Sequence, residues 1–244
     1  MEYQKVITKI IGVGQVGFKF CDYIKNNSCE CSGGEILKYT NIESKADNEK
    51  LNVELSDCDS VVIILDAMQE FEFAKKIASV SKSKNILTIV VLINGTTVQR
   101  NELVSVSDSV VELNMNDKND NFSEMMLHFA ENVSLNRVGL IGIDWYDVQS
   151  MFRNSGKAFV YESIAESVDV ITNKIFQTLP PKIDCTTVKS AFIYIRLSEK
   201  QSLDYMEEIV ESVSGKLNPE AEVFVNGVWS DFQKSCVNVT FVGV

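Results

Sequence analysis

The sequence has no uninterrupted apolar stretch that approaches the roughly 18 residues needed for a membrane-spanning helix. Its first residues, Met1-Glu2-Tyr3-Gln4-Lys5, lack the pattern of a signal peptide. Positive charge is also scarce. The chain has 23 Lys and Arg against 34 Asp and Glu, and the net charge of −11 argues against binding a nucleic-acid backbone or an anionic membrane through general electrostatics. We therefore expect a cytoplasmic protein with no nucleic-acid or membrane partner.

Residues that bind structural metals are few or wrongly spaced. The single histidine, His128, has no second histidine with which to bind a metal. Cys29-Glu30-Cys31 does not have the usual spacing of a structural zinc site. In the cytoplasm, the six cysteines are expected to be reduced thiols. The sequence therefore predicts no metal site.

The composition is that of an ordinary globular protein. Of 244 residues, 45% are hydrophobic and 23% are charged. A chain of this length can bury a substantial core as one large domain or as two modest ones.

A glycine-rich turn follows the first apolar segment. Residues 6–11 predict a strand, and Gly12-Val13-Gly14-Gln15-Val16-Gly17 leads into a helix predicted over residues 18–25. Glycines let the backbone approach an anion, and a helix N-terminus offers free N–H groups. Glycines also occur at tight turns that bind nothing, so a purely structural turn remains the alternative.

Aliphatic segments alternate with helical patterns through the first half of the chain. Further strands are predicted at residues 35–41, 61–65, 86–93 and 109–113, with a helix at residues 71–81. The second strand ends in Asn41-Ile42-Glu43-Ser44, whose polar groups stand where a ribose could lie. Such alternation predicts a parallel sheet covered on both faces.

An amphipathic helix is predicted from Phe122 to Val133, where apolar residues recur at three and four positions. It leads into a glycine-containing loop with two acids, Asp144 and Asp147, three positions apart. We expect Asp147 to cap a helix that starts near Val148. This loop is the best chemical signal in the chain, although the two acids could also be a helix cap and a solvated loop residue.

After this helix the pattern changes to four predicted strands and two or three helices, which is typical of an α+β unit. The predicted fold class is α/β, with a parallel Rossmann-like sheet in the N-terminal domain, a central core helix and an α+β C-terminal domain. The corresponding domain boundaries are residues 1–121, 122–143 and 144–244.

Several short motifs occur in an informative order. They are Ile11-Gly12-Val13-Gly14, the strand 35–43, Asn85-Ile86-Leu87-Thr88, Asp108-Ser109 with Asn116-Asp117-Lys118, the loop 139–148, and the final strands 221–227 and 237–243. Together they resemble the tubulin and FtsZ family of filament-forming GTPases. The loop 139–148 is similar to the synergy loop of that family, Gly-Leu-x-Asn-x-Asp-x-x-Asp-Val, with Gly142 in place of its Asn.

The resemblance implies a tubulin/FtsZ-like fold and an active site completed between subunits. Asp144 and Asp147 would be the catalytic acids, and they would act on the nucleotide of a neighbouring subunit. The residues that would contact nucleotide are Gly12, Gly14, Gly17, Asn41, Glu43 and Asn116. The implied cofactor is GTP or GDP, and the implied partner is an FtsZ-like filament protein or a second copy of this chain.

The chain departs from the family at the phosphate-binding loop. There the family has a glycine run, whereas this chain has Leu65-Asp66-Ala67-Met68 followed by Gln69-Glu70-Phe71-Glu72-Phe73. At an effective dielectric of about 20, one like-charge pair near 4 Å costs on the order of 4 kcal/mol. The interval 41–61 is short for the family's γ-phosphate-sensing loop, the helix after Asn94-Gly95 is reduced, and the start of the central helix looks clipped.

We therefore expect a degenerate FtsZ-like protein that holds no cofactor and works as a partner or modulator of a filament-forming relative. The alternative is a divergent self-assembling GTPase that still binds and hydrolyses GTP. A minor alternative is a dinucleotide-binding Rossmann protein with Glu43 as the ribose acid, which lies 26 residues after Gly17.

Overall fold

The computed structural model describes residues 6–27, 36–41, 48–113, 122–134, 140–178, 183–230 and 234–244. The chain forms two compact units, one of residues 1–137 with 152–157 and the other of residues 138–151 with 158–244. The domain boundaries predicted at residues 121 and 143 stay predictions. Within the described part of the chain, no helix has the length and hydrophobicity of a membrane span.

The first unit contains a parallel sheet whose strands lie in the order β2, β1, β3, β4, β5. These strands are β1 (Ile7–Val13), β2 (Ile36–Asn41), β3 (Ser60–Asp66), β4 (Leu87–Ile93) and β5 (Ser109–Leu113). All seven residues of β3 and of β4 are buried, as expected for central strands with helices on both faces. The aliphatic segments predicted from the sequence therefore form the centre of the sheet.

In the described residues of this unit, five helices accompany these strands. They are α1 (Gly14–Asn27), α2 (Asn48–Glu54), α3 (Phe71–Ser83), α4 (Thr97–Val106) and α5 (Phe122–Val133). Helix α2 was not predicted; the apolar residue that it buries is Leu51, and Leu55 follows one turn later. Helix α5 is the amphipathic helix predicted from the 3–4 periodicity, and its residues from Met125 to Val133 are buried.

The second unit is an α+β arrangement. Its strands are β6 (Gly156–Ala165), β7 (Ser190–Ser198), β8 (Glu222–Ser230) and β9 (Ser235–Val242), and its helices are α6 (Trp145–Phe152), α7 (Val168–Thr178) and α8 (Leu203–Ser214). Strand β9 runs antiparallel to both β6 and β7, and β7 pairs in parallel with β8. The first two residues of β6 belong to the short segment 152–157 of the first unit.

Candidate functional site

The carboxyl ends of the parallel strands in the first unit bring two predicted residues together. Gly12 of β1 is the register partner of Asn41 at the end of β2, and on its other side it is paired with Ile64 of β3. In sheets of this kind, ligands bind outside the carboxyl ends of the strands. Asn41 is described only in its backbone, and Glu43 and Asn116 lie outside the described residues.

The glycine turn after β1 is closed by a side chain from another loop. Gly14 has a φ of +69°, and a Cβ on it would lie 3.0 Å from both Cβ and Oε1 of Gln69. The same Oε1 accepts a hydrogen bond of 2.8 Å from the backbone N–H of Gln15, in the first turn of α1. Free N–H groups of this kind are where an anion binds at a helix N-terminus. Here one of them is satisfied within the chain.

Gly17 serves the packing of α1 on the sheet. A Cβ at this position would lie 2.2 Å from the carbonyl oxygen of Ile64 and 3.3 Å from the carbonyl carbon of Gly12. Since both atoms are backbone, the absence of a side chain is what lets α1 approach β1 and β3. The assignment of Gly17 to nucleotide binding stays a prediction.

The loop that follows β3 is held by its own hydrogen bonds. The buried carboxylate of Asp66 accepts a bond of 3.0 Å from the N–H of Met68, and its carbonyl accepts one of 2.9 Å from the N–H of Gln69. From α4, Nε2 of Gln99 donates a bond of 2.8 Å to the carbonyl of Ala67. Two glutamine side chains thus fix the segment where the sequence lacks the family's glycines.

Two further acids stand at the start of α3. Glu70 is exposed and has a left-handed backbone, with a φ of 52°, while its side chain makes no cap hydrogen bond. Glu72 is also exposed and lies 3.3 Å from the ammonium of Lys75, which it shares with Glu102. The negative charge predicted for this loop is therefore carried at its surface by Glu70 and Glu72, while Asp66 is buried in the loop.

In the second unit, Asp144 and Asp147 form a reciprocal cap at the start of α6. The N–H of Asp144 donates to Oδ2 of Asp147 at 2.8 Å, and the N–H of Asp147 donates to Oδ1 of Asp144 at 3.0 Å. The expectation that Asp147 caps a helix starting near Val148 is wrong, because α6 starts at Trp145 and Asp147 lies in its first turn. The Asp-x-x-Asp spacing, a variant of the capping box, was the signal for the earlier start.

The segment of residues 140–147, which carries both acids and is called the acid loop below, is also joined to strand β8. The N–H of Leu140 donates to the carbonyl of Gly227 at 2.6 Å, and the N–H of Gly227 donates to the carbonyl of Ile141 at 3.0 Å. Asp144 is exposed and Asp147 is partly exposed, so each carboxylate reaches solvent beside its role in the cap. Exposed carboxylates of this kind can orient or deprotonate a water molecule.

The sequence did not indicate the roles of the glutamines. Gln69 and Gln15 are 54 residues apart, and Gln99 is 32 residues from Ala67. Only the N-terminal boundary of α4 could have been found, since Thr96 and Gln99 form a capping box with the usual spacing.

Comparison with known proteins supports the resemblance seen in the sequence. No protein-family model matches this chain. It is similar to the cell division protein FtsZ of Methanothermobacter thermautotrophicus, with 28% identity over 111 residues, which are 44% of this chain and 29% of that protein. The matched segment thus spans less than a third of that relative.

Solved structures match over nearly the whole chain, as two examples show. An FtsZ dimer of M. jannaschii, in its empty form, has a TM-score of 0.82 at 17% identity and covers 100% of this chain and 90% of its own. TubZ of Bacillus thuringiensis serovar israelensis, in GDP-form protofilaments, has a TM-score of 0.61 at 11% identity and covers 97% and 88%. The chain therefore has the fold of the FtsZ and tubulin family, and the predicted α/β fold class and family resemblance are confirmed.

Proposed function

We propose that this protein is a cytoskeletal protein of the FtsZ type with impaired GTP binding, which acts as an interaction partner or modulator of a filament-forming homologue. The observation that carries the proposal is the loop after β3. It has no glycine between Asp66 and Phe71, and its Gln69 side chain accepts a hydrogen bond from the N–H of Gln15 at the start of α1. A phosphate would need that donor and the space beside it.

Charge on the same loop opposes a triphosphate. Glu70 and Glu72 are exposed at the start of α3, and only Glu72 has a lysine within ion-pair distance in the described residues. Since a nucleoside triphosphate carries several negative charges, each nearby carboxylate lowers its affinity. The loop therefore disfavours phosphate through both its hydrogen bonding and its charge.

The acid loop of the second unit supports the interaction part of the proposal. Asp144 and Asp147 are held in a defined geometry by their reciprocal bonds, and both retain exposure to solvent. By resemblance to the family, such acids act on the nucleotide of a neighbouring subunit. This chain would thus offer catalytic acids to a partner while holding no nucleotide itself.

A subunit with this asymmetry would act as a filament cap. It could join the nucleotide-exposed end of a partner filament, complete the hydrolytic site there, and provide no nucleotide site for the next subunit. We place this activity in the cytoplasm, where a co-occurring FtsZ would be the partner.

The capping test is co-assembly with such an FtsZ. Substoichiometric amounts of this protein are expected to shorten the partner's filaments, as measured by electron microscopy and light scattering. If filament length and GTP turnover are both unchanged at equimolar addition, capping is wrong.

Variants of the acids separate catalysis from folding. Replacing Asp144 and Asp147 by Ala removes both cap acceptors, which costs about 1 kcal/mol for a lost cap. Asp144→Asn with Asp147→Asn keeps an amide oxygen for each N–H and removes the carboxylates. We expect the Asn pair to shorten filaments as the wild type does. Below the partner's critical concentration, it should lower GTP turnover at the shared interface by about 100-fold or more. Unchanged turnover with the Asn pair would remove Asp144 and Asp147 from the hydrolytic step.

A divergent self-assembling GTPase is the second candidate. It is favoured by the position of Gly12 and Asn41 as neighbours at the carboxyl ends of β1 and β2. In that case the protein would form filaments alone in the presence of GTP. A thermal-shift comparison of GTP, GDP, ATP and NAD would identify the ligand, and a response to NAD alone would favour the dinucleotide alternative.

A further inference from the structure

We propose that Gln69 is an autoinhibitory side chain, which occupies the first-turn N–H of α1 and so keeps the glycine turn closed to phosphate groups. The inference rests on the proposed function, because it names the cause of the impaired nucleotide binding. It assigns the hydrogen-bonding part of that cause to a single side chain, which acts in addition to the charge of the loop.

The geometry gives Gln69 two ways to exclude a ligand. Its Oε1 accepts the N–H of Gln15 at 2.8 Å, which removes a donor from solution. Its Cβ and Oε1 also lie 3.0 Å from the position of a Cβ on Gly14, so the side chain fills the space that the glycine leaves open. A phosphate oxygen that accepted from the Gln15 N–H would have to displace this carboxamide.

The loop holds Gln69 in this position. The N–H of Gln69 donates to the carbonyl of Asp66 at 2.9 Å, and Gln99 of α4 ties the neighbouring Ala67 carbonyl at 2.8 Å. The side chain therefore starts from an anchored backbone, which lowers the entropy lost when it forms the contact. A ligand must displace this preorganised hydrogen bond. The apparent dissociation constant is therefore the intrinsic one divided by the fraction of molecules in which the turn is open.

Two variants test the contact with opposite expectations, and a third is a control. Gln69→Ala removes the acceptor and opens the turn. Gln69→Glu keeps an acceptor, which the positive end of the helix dipole favours, and it adds charge, so the turn should stay closed. Gln201→Ala, a partly exposed glutamine in the second unit, is the matched control.

The binding readout is calorimetric titration with inorganic pyrophosphate and with Mg²⁺-GTP. We expect Gln69→Ala to bind pyrophosphate about fivefold tighter than the wild type, the ratio that corresponds to one side-chain cap. Gln69→Glu and Gln201→Ala should bind no tighter than the wild type. Pyrophosphate is included because it can bind at the glycine turn without a base-binding pocket.

The contact itself is read from amide hydrogen exchange at Gln15, measured by NMR. Exchange should be about fivefold faster in Gln69→Ala than in the wild type, and it should stay slow in Gln69→Glu. The same spectra verify that each variant is folded. Unchanged exchange at Gln15 in Gln69→Ala would overturn the proposal.

The outcomes separate this inference from the proposed function. If neither the wild type nor Gln69→Ala binds phosphate ligands, the autoinhibitory role is wrong, while weak nucleotide binding stands. If the wild type already binds GTP well and Gln69→Ala binds it tighter still, the role of Gln69 stands, while the proposal of impaired GTP binding is wrong.

Discussion

Replacing Asp108 by alanine is expected to lower the free energy of unfolding by about 3 kcal/mol. Asp108 precedes β5, and its side chain is 1% exposed. Its Oδ2 accepts the buried N–H of Thr88 at 2.9 Å and lies 3.4 Å from Nη1 of Arg153. Its Oδ1 accepts the N–H of Asn154 at 3.3 Å. The variant leaves the Thr88 N–H without this acceptor and removes the ion-pair partner of Arg153, which keeps its bonds to the carbonyl of Asn85.

The same acid anchors the segment 152–157 within the first unit. Besides the side-chain bonds, the Asp108 carbonyl accepts the N–H of Gly156 at 3.0 Å. Asn154 and Gly156 both have positive φ, of 54° and 81°, so the segment bends sharply around Asp108. Loss of the carboxylate should therefore loosen this segment as well as the start of β4, where Thr88 lies.

Chemical denaturation checks this prediction, with two comparison variants. Asp108→Asn keeps an acceptor for Thr88 and loses the ionic contact, so it should cost about half as much as Asp108→Ala. Asp57→Ala, an exposed aspartate of the same unit, should change stability by less than about 0.5 kcal/mol. A loss below about 1 kcal/mol for Asp108→Ala would contradict the role given to this carboxylate.

Gly17→Ala is expected to destabilise the protein by about 2–3 kcal/mol, although alanine is the better helix former. The added Cβ would lie 2.2 Å from the carbonyl oxygen of Ile64, which belongs to a fully buried central strand. The strand cannot yield, so α1 must move away from the sheet. That movement would also strain the contact of Phe20 with Phe122, whose ring centroids are 5.1 Å apart.

Gly142→Ala is the matched control for this substitution. A Cβ at Gly142 meets nothing within 4 Å among the described residues. Its unfolding free energy should stay within about 0.5 kcal/mol of the wild type or rise slightly, since alanine restricts the unfolded chain. Equal stability of the two alanine variants, measured by thermal and urea unfolding, would show that α1 does not pack closely on β3.

The strands and the main helices could be predicted because their signals are local. The aliphatic segments of β3 and β4 and the 3–4 periodicity of α5 each depend on a few consecutive residues. The turn from β1 to α1 was predicted for the same reason, since its glycines stand within six positions.

The tertiary contacts of the phosphate-binding loop and of Asp108 could not be predicted in this way. The bond from Gln15 to Gln69 and the bonds of Asp108 to Thr88 and Asn154 join residues 20 to 54 positions apart. A glutamine in a loop has no periodicity and no fixed spacing to its acceptor or donor, so its role emerges only from the tertiary fold. The sequence predicted that α6 starts near Val148 with Asp147 as its cap, whereas the helix starts at Trp145 and Asp144 and Asp147 bond to each other across its first turn.

The most direct test of the central claim is titration of the purified wild-type protein with Mg²⁺-GTP. We expect no dissociation constant below about 10 μM and no nucleotide retained through purification. Consistent with this, added GTP should leave the melting temperature unchanged, whereas saturation at about 100 times the dissociation constant would add about 2.7 kcal/mol of stability. Retained nucleotide, or a dissociation constant below about 10 μM, would contradict the proposal that this chain has an impaired GTP site.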